Sequence, residues 1–150
     1  MLETPRRQFL AATMAAAASA WAGRISSASN GPDDDLIDAG AQSDFQGTAV
    51  SEKLAKSKKI LIVRDGQRLI AVCAVCTHKA CGVKPHGGEL RCPCHGSTFS
   101  TIGAVKKGPA REPLAHLGIR LGADGHVLID PGQRFAQDEW NDPQSFIAIK

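Results

Sequence analysis

Two short stretches constrain this chain more than any other part of its sequence. Residues 76–81 read CTHKAC and residues 92–97 read CPCHGS, and together they hold four of the five cysteines and two of the five histidines. Thiolates and imidazoles are side chains that bind transition metals. Each stretch follows a segment of strand-forming residues, so the sequence predicts two loops that present their tips to one another.

Length and charge limit the remaining possibilities. With 150 residues the chain has room for one domain plus a processed or flexible end. Its formal net charge is only +3, with 18 basic and 15 acidic residues. This near balance argues against nucleic acid as the main partner.

The N-terminus has the pattern of an export signal. Arg6 and Arg7 precede an uncharged stretch that is mostly alanine and runs to Gly23. Consecutive arginines followed by a short apolar stretch and small residues are typical of a twin-arginine signal peptide, which predicts that residues 1–22 are removed. The alternatives are a basic segment without a targeting role and an uncleaved membrane anchor, for which this stretch is short.

Composition divides the rest of the chain into three parts. Residues 23–43 are rich in Ser, Asn, Gly and Asp, which predicts a flexible linker. Residues 44–131 contain the strand-like segments and are predicted to form the domain. Residues 132–150 are predicted to be a C-terminal tail, whose aromatic and apolar residues are candidates to pack on the domain.

The predicted domain consists of short β-type segments. Residues 59–64 and 68–75 are rich in Ile, Leu and Val and flank Asp65-Gly66, a strong hairpin signal. Further strands are predicted at residues 45–50, 89–92, 114–121 and 126–129. Many short strands with little helical periodicity predict an all-β, antiparallel fold.

The two motifs resemble those of the Rieske iron–sulfur proteins of cytochrome bc complexes and their soluble relatives. The likeness continues through Phe99, Gly103 and residues 108–110 (GPA) to Leu114. It implies one Rieske-type [2Fe-2S] cluster held between the two loops. The ligands that it implies are Cys76 and Cys92 on one iron, and His78 and His95 on the other.

The resemblance also assigns the remaining two cysteines of the motifs. Cys81 and Cys94 would form a disulfide that ties the loops together, and Gly108-Pro109 would belong to a proline loop covering the cluster. Rieske ferredoxins and the Rieske domains of oxygenases usually lack this cysteine pair. Its presence here favours the high-potential branch of the family.

Three positions near the motifs bear on the redox properties. Ser97 matches a serine that donates a hydrogen bond to a cluster sulfur in that branch. Phe99 stands where the family often has tyrosine, so one donor is missing and a lower potential is expected. Lys79 and Ala80 replace the Leu-Gly that is typical of quinol-oxidising members, which disfavours docking on a membrane cytochrome.

Other interpretations of the same cysteines and histidines remain open. A structural zinc site could be drawn from these cysteines and histidines, as could a disulfide module without metal. Cys73 is predicted to be a buried core thiol, because its neighbours are apolar. His86, His116 and His126 are predicted to be surface histidines and not further ligands.

The sequence therefore predicts a one-electron carrier without a catalytic site of its own. Its expected partner is a periplasmic oxidoreductase large subunit or a cytochrome c. The alternative is a quinol-oxidising subunit of a bc-type complex, held at the membrane by an uncleaved signal. A basic rim formed by Lys79, Lys84 and Arg91 would favour an acidic partner.

Overall fold

A computed structural model describes residues 35–149, and the predicted export signal lies outside them. The strands are β1 (Ile37–Ala41), β2 (Val50–Ser51), β3 (Ile60–Asp65), β4 (Arg68–Cys73), β5 (Lys84–His86), β6 (Glu89–Arg91), β7 (Thr98–Phe99), β8 (Val105–Lys107), β9 (His116–Leu121), β10 (His126–Phe135) and β11 (Ile147–Ala148). One short α-helix, α1 (Ala55–Lys58), precedes β3, and two 3-10 turns cover Gln42–Phe45 and Gln137–Glu139.

These strands form two antiparallel sheets. The larger has seven strands in the order β1-β10-β9-β4-β3-β2, with β11 also paired to β4. The smaller has four strands in the order β5-β6-β7-β8 and carries one of the two motifs between β6 and β7. The predicted all-β, antiparallel fold is confirmed.

The β3–β4 hairpin is the wall shared by two hydrophobic clusters. Ile60 and Ile62 pack in a cluster with β9 and β10, whereas Leu61 and Val63 pack in a second cluster that includes Cys76 and Cys92. A strand buried on both faces needs a continuous apolar run, which explains why this hairpin is so evident in the sequence. The second cluster thus connects the core directly to the two motifs.

Two sequence predictions at the domain's N-terminal side need correction. The strand predicted over residues 45–50 is wrong for all but its last residue, because Phe45 ends a 3-10 turn and is buried. Within residues 23–43, where composition indicates a linker, β1 pairs with β10. Pairing with a distant strand stabilises β1, and local composition does not report it.

The C-terminal segment packs on the larger sheet. Ile147 pairs with Leu69 of β4, and Trp140, Ile147 and Ile149 are buried. Arg68, next to Leu69, places its guanidinium 5.4 Å from the ring centre of Phe146. Between residues 35 and 149, no helix is long and apolar enough to cross a bilayer.

Candidate metal centre

The two motifs fold into loops with the same backbone hydrogen bonds. In loop one, residues 76–81, the Cys76 amide donates to the Cys81 carbonyl at 2.8 Å and the Ala80 amide donates to the Cys76 carbonyl at 2.9 Å. In loop two, residues 92–97, Cys92 donates to Ser97 at 2.8 Å and Gly96 donates to Cys92 at 3.1 Å. Each loop therefore turns back on itself at its first cysteine.

Both loops are closed by a pair of antiparallel residues just outside them. Val75 pairs with Gly82 beneath loop one, and Arg91 pairs with Thr98 beneath loop two. The fifth residue of each loop has left-handed backbone, with a φ of 54° at Ala80 and 75° at Gly96. The two loops thus have the same pattern of backbone hydrogen bonds, closing residue pair and left-handed fifth residue, although their sequences differ. We call this shared backbone pattern the loop frame.

A disulfide joins the two loops. Cys81 and Cys94 are bonded, with Cα atoms 6.5 Å apart. Cys73, Cys76 and Cys92 are free and buried, so Cys73 is the buried thiol that its apolar neighbours predict. The pairing that the family resemblance implies is confirmed.

The two histidines of the motifs meet across the loops. The ring centres of His78 and His95 are 4.9 Å apart, and the ring planes are nearly perpendicular at 88°. His95 is exposed and His78 is half-buried. Within the described residues, the buried Nδ1 of His78 has no hydrogen-bond partner. An imidazole nitrogen without a partner is free to bind a metal.

The four candidate ligands have the chemistry of a mixed thiolate and imidazole site. Cys76 and Cys92 are 2% and 1% exposed and belong to the same hydrophobic cluster, so both thiols are buried. The sulfur of Cys92 lies within 4.8 Å of the Cys81 and Cys94 sulfurs, but those two are locked in the disulfide. The donors present therefore fit a two-iron cluster with two sulfur and two nitrogen ligands.

Residues behind the loops fix their position. Ser97 is fully buried, and its Oγ accepts a hydrogen bond from the Ala110 amide at 3.0 Å, which leaves the hydroxyl proton available to donate. Thr77 donates its hydroxyl to the Glu112 carbonyl at 2.7 Å. The segment after Pro109 thus contacts both loops. The family resemblance implies that Gly108-Pro109 covers the cluster, but the sequence does not indicate the contact between Thr77 and Glu112.

Comparison with known proteins identifies the family. Residues 35–119 match the Rieske [2Fe-2S] domain family. The chain belongs to this family. Membership in the Rieske family implies one [2Fe-2S] cluster, the group that the donors of the two loops fit.

Several Rieske proteins are similar to this chain. The cytochrome b6-f complex iron-sulfur subunit of Gloeobacter violaceus is 41% identical over 75 residues, which are 47% of this chain and 40% of that protein. The same subunit of Chlorobaculum tepidum is 35% identical over 75 residues, with the same coverage. The chain thus spans less than half the length of these relatives.

One solved structure has the same fold. The cyanobacterial plasma membrane Rieske protein from Synechocystis matches with a TM-score of 0.50 and 25% identity, over 63% of this chain and 98% of that one. The overall fold of this chain is thus similar to that of a known Rieske protein.

One histidine outside the loops differs from its prediction. His116 is only 1% exposed, stacks on Trp140 at 4.1 Å, and shares a 2.8 Å hydrogen bond with the Ile102 carbonyl through Nε2. Burial lowers the pKa of His116 to about 4. The prediction of a surface histidine is wrong, because its stacking partner comes from the C-terminal segment, which local sequence does not place.

Proposed function

We propose that this chain carries one electron at a time through a Rieske [2Fe-2S] cluster held by loops one and two. Cys76 and Cys92 would bind one iron, and His78 and His95 the other. The observation that carries this proposal is that two disulfide-linked loops each supply one free buried thiol and one imidazole, and that the two imidazoles are in contact. The bound cluster supplies a centre that accepts and releases a single electron.

The protein's own residues orient and shield this site. The paired loop frames hold the four ligands, and the disulfide prevents the loops from separating. Buried Cys76 and Cys92 keep water from the sulfur side, whereas exposed His95 gives the electron a path to a partner. One face of the site is therefore insulated and the other is open.

Charge supports a potential higher than that of an all-cysteine cluster. Two thiolates and two neutral imidazoles leave the oxidised cluster about two charges less negative than four thiolates would, so an electron is added more easily. Ser97 would add a hydrogen bond with the hydroxyl proton that its bond from the Ala110 amide leaves unused, whereas Phe99 has no hydroxyl to offer. We expect a potential below that of relatives with tyrosine at this position.

The partner is proposed to be a periplasmic redox protein, either an oxidoreductase large subunit or a cytochrome c. The arginine pair at Arg6 and Arg7 supports export in the folded state with the cluster inserted, and an oxidising compartment suits the disulfide. Exposed Lys79, in the loop beside His78, supports a polar docking surface and not a membrane cytochrome.

A second candidate is the quinol-oxidising subunit of a membrane cytochrome complex. It is favoured by the relatives that are named as cytochrome b6-f complex iron-sulfur subunits. Separation of membrane and soluble fractions of the native host distinguishes the two. Recovery in the salt-washed membrane pellet supports the complex subunit, and recovery in the periplasmic fraction supports the soluble carrier.

The central proposal is tested by the metal content and magnetic resonance of the purified full chain. We expect about two irons and two acid-labile sulfides per chain, and an electron paramagnetic resonance signal after dithionite reduction. Cys76→Ser should abolish the signal, whereas the matched variant Cys73→Ser should keep it, because Cys73 lies outside both loops. Zinc without sulfide in the wild-type chain would overturn the proposal.

A further inference from the structure

A row of basic residues crosses the four-stranded sheet beside loop two. Strand register places Lys84 opposite Arg91, Arg91 opposite Thr98, and Thr98 opposite Lys107. Residues opposite one another in adjacent strands point to the same face. The three cations of this row, Lys84, Arg91 and Lys107, are all exposed; we call them the cationic row.

No acidic residue of the same sheet neutralises the cationic row. Across β5 to β8 the only acidic residue is Glu89, and its carboxylate pairs with Lys106 at 2.7 Å. Lys84 and Arg91 lie directly opposite one another, and like charges so placed repel each other. Among residues 35–149, none of the three cations of the row forms an ion pair.

Charge is also distributed unevenly over the whole described chain. Residues 76–111, which hold both loops and the smaller sheet, contain six lysines and arginines and one acidic residue. The other described residues, 35–75 and 112–149, contain eight basic and eleven acidic residues. The end of the molecule that carries the candidate cluster is therefore positive and the remainder is negative.

The cationic row adjoins the candidate cluster. Arg91 directly precedes Cys92, and Thr98 directly follows Ser97, so the row lies at the root of loop two. A cavity of about 360 Å³ runs between Lys84, His86 and Arg91 to Pro93, inside loop two. A partner bound to the row would thus contact the loop that presents exposed His95.

We propose that the cationic row is the docking surface for the carboxylate-rich face of an acidic redox protein. This inference rests on the proposed function, because the partner must approach the end of the molecule from which the electron leaves. With strands about 4.8 Å apart, the row extends about 14 Å, which suits several carboxylates on one protein face. Opposite potentials steer such an encounter and set its orientation.

Binding between oxidised proteins tests this surface without electron transfer. The probe is a soluble cytochrome c of net negative charge with carboxylates around its haem edge; a lysine-rich cytochrome c of similar size is the control. Titration calorimetry at low and high salt should show binding of the acidic probe alone, and weakening with salt. The double variant Lys84→Glu/Lys107→Glu should weaken it about tenfold, equivalent to about 1.4 kcal/mol.

The matched variant is Lys56→Glu/Lys58→Glu, which changes net charge equally on α1, outside the smaller sheet. It should weaken binding less than twofold. Equal weakening by both variants, or binding insensitive to salt, would overturn the proposal. So would row-dependent binding to vesicles of phosphatidylglycerol and phosphatidylcholine without binding to the acidic cytochrome, since that would assign the row to a membrane.

Magnetic resonance of the same samples separates this proposal from the proposed function. A wild-type chain without a cluster signal contradicts the electron-carrier proposal whatever the calorimetry shows. A normal cluster signal in every variant, together with equal binding by the variants, contradicts the docking surface alone. In stopped flow, the rate of electron transfer to the acidic probe should fall in parallel with its affinity.

Discussion

Loops one and two share the same backbone hydrogen bonds, offset by sixteen residues, but after the first cysteine their side chains differ at every equivalent position. The sixth residue is Cys81 in loop one and Ser97 in loop two. Cys81 bonds to the other loop, whereas Ser97 bonds to the Ala110 amide behind its own loop. At the sixth position, loop one is therefore attached to loop two and loop two is attached to the Ala110 amide.

The fifth residue shows a second difference. Gly96 adopts its left-handed backbone without steric cost, whereas Ala80 adopts it with a Cβ atom. The two histidines also occupy different places, with His78 third in loop one and His95 fourth in loop two. The comparison shows that two loops can share one pattern of backbone hydrogen bonds while their side chains make different contacts with the rest of the protein.

Removal of the disulfide should have the largest effect on the two loops. A bridge that closes about 15 residues stabilises by about 3 kcal/mol, so the double variant Cys81→Ser/Cys94→Ser should lose its cluster much faster in urea. The visible absorbance of the cluster measures this loss. Cys73→Ser is the control, because it removes a buried thiol and no cross-link; equal rates in both variants would contradict a role for the bridge.

Ser97→Ala should have the next largest effect, because it removes the hydrogen bond between loop two and the Ala110 amide. It leaves the Ala110 amide buried without an acceptor, a loss of about 2 kcal/mol. It also removes a hydroxyl donor to the cluster, so the reduction potential should fall. Ser97→Thr retains the hydroxyl and is the control. Film voltammetry measures the change in reduction potential, which reports the hydrogen bond to the cluster, and thermal loss of the cluster measures the change in stability.

Acid should weaken the domain as a whole, through the buried His116. His116 has a pKa of about 4 when folded and about 6.5 when unfolded, so the unfolded chain binds more protons between these values. Stability should therefore fall as pH drops from about 6.5 to about 4, by up to about 1.4 kcal/mol per unit. Thermal melts of His116→Gln should show a flatter pH profile.

His126 provides the matched control for this pH dependence. Its hydrogen bond to Asp38, 2.9 Å from Nδ1, raises its pKa, so its contribution is present below about pH 6.5 and is lost as pH rises. His126→Gln should leave the acid slope intact, because the raised pKa of His126 places its contribution to the pH dependence above about pH 6.5. A flattened acid slope in this variant would contradict the assignment to His116.

Phe99→Tyr tests whether this chain lacks the tyrosine hydroxyl that, by resemblance to the high-potential branch, would donate a hydrogen bond to the cluster. Phe99 is fully buried in the same hydrophobic cluster as Cys76 and Cys92. A tyrosine hydroxyl that donates to the cluster should raise the potential by about 60 mV, a tenfold change in the one-electron equilibrium. Phe99→Leu is the control for packing, and an unchanged potential in Phe99→Tyr would contradict the assignment.

Exchange of the fifth residues should have the smallest effect. Gly96→Ala should cost about 1 kcal/mol, and the cost is conformational alone, since a Cβ there meets no atom within 4 Å. Ala80→Gly should be neutral or slightly stabilising, because relief of the left-handed backbone is offset by greater entropy of the unfolded chain. Thermal melting of both variants measures this difference in stability. Equal destabilisation by the two substitutions would contradict the view that the fifth residues of the two loops are equivalent.

Much of the fold could be predicted because its signals are local. The β3–β4 hairpin and the β9–β10 hairpin were both predictable, since apolar runs and Asp-Gly turns act over a few residues. The first strand and the burial of His116 were not, because each depends on a partner distant in sequence. Strand pairing and burial are set by packing across the whole domain.

The sequence by itself determined the chemistry of the candidate site, because thiols and imidazoles are properties of residues and their spacing is covalent. It placed thiols and imidazoles together in two short motifs, and the family resemblance indicated Cys76, His78, Cys92 and His95 as ligands and Cys81–Cys94 as the bridge. Only the tertiary structure decided that the two loops share one frame, and that Lys84, Arg91 and Lys107 form one row. The reason is that backbone hydrogen bonds and strand register bring together residues that are distant in the sequence.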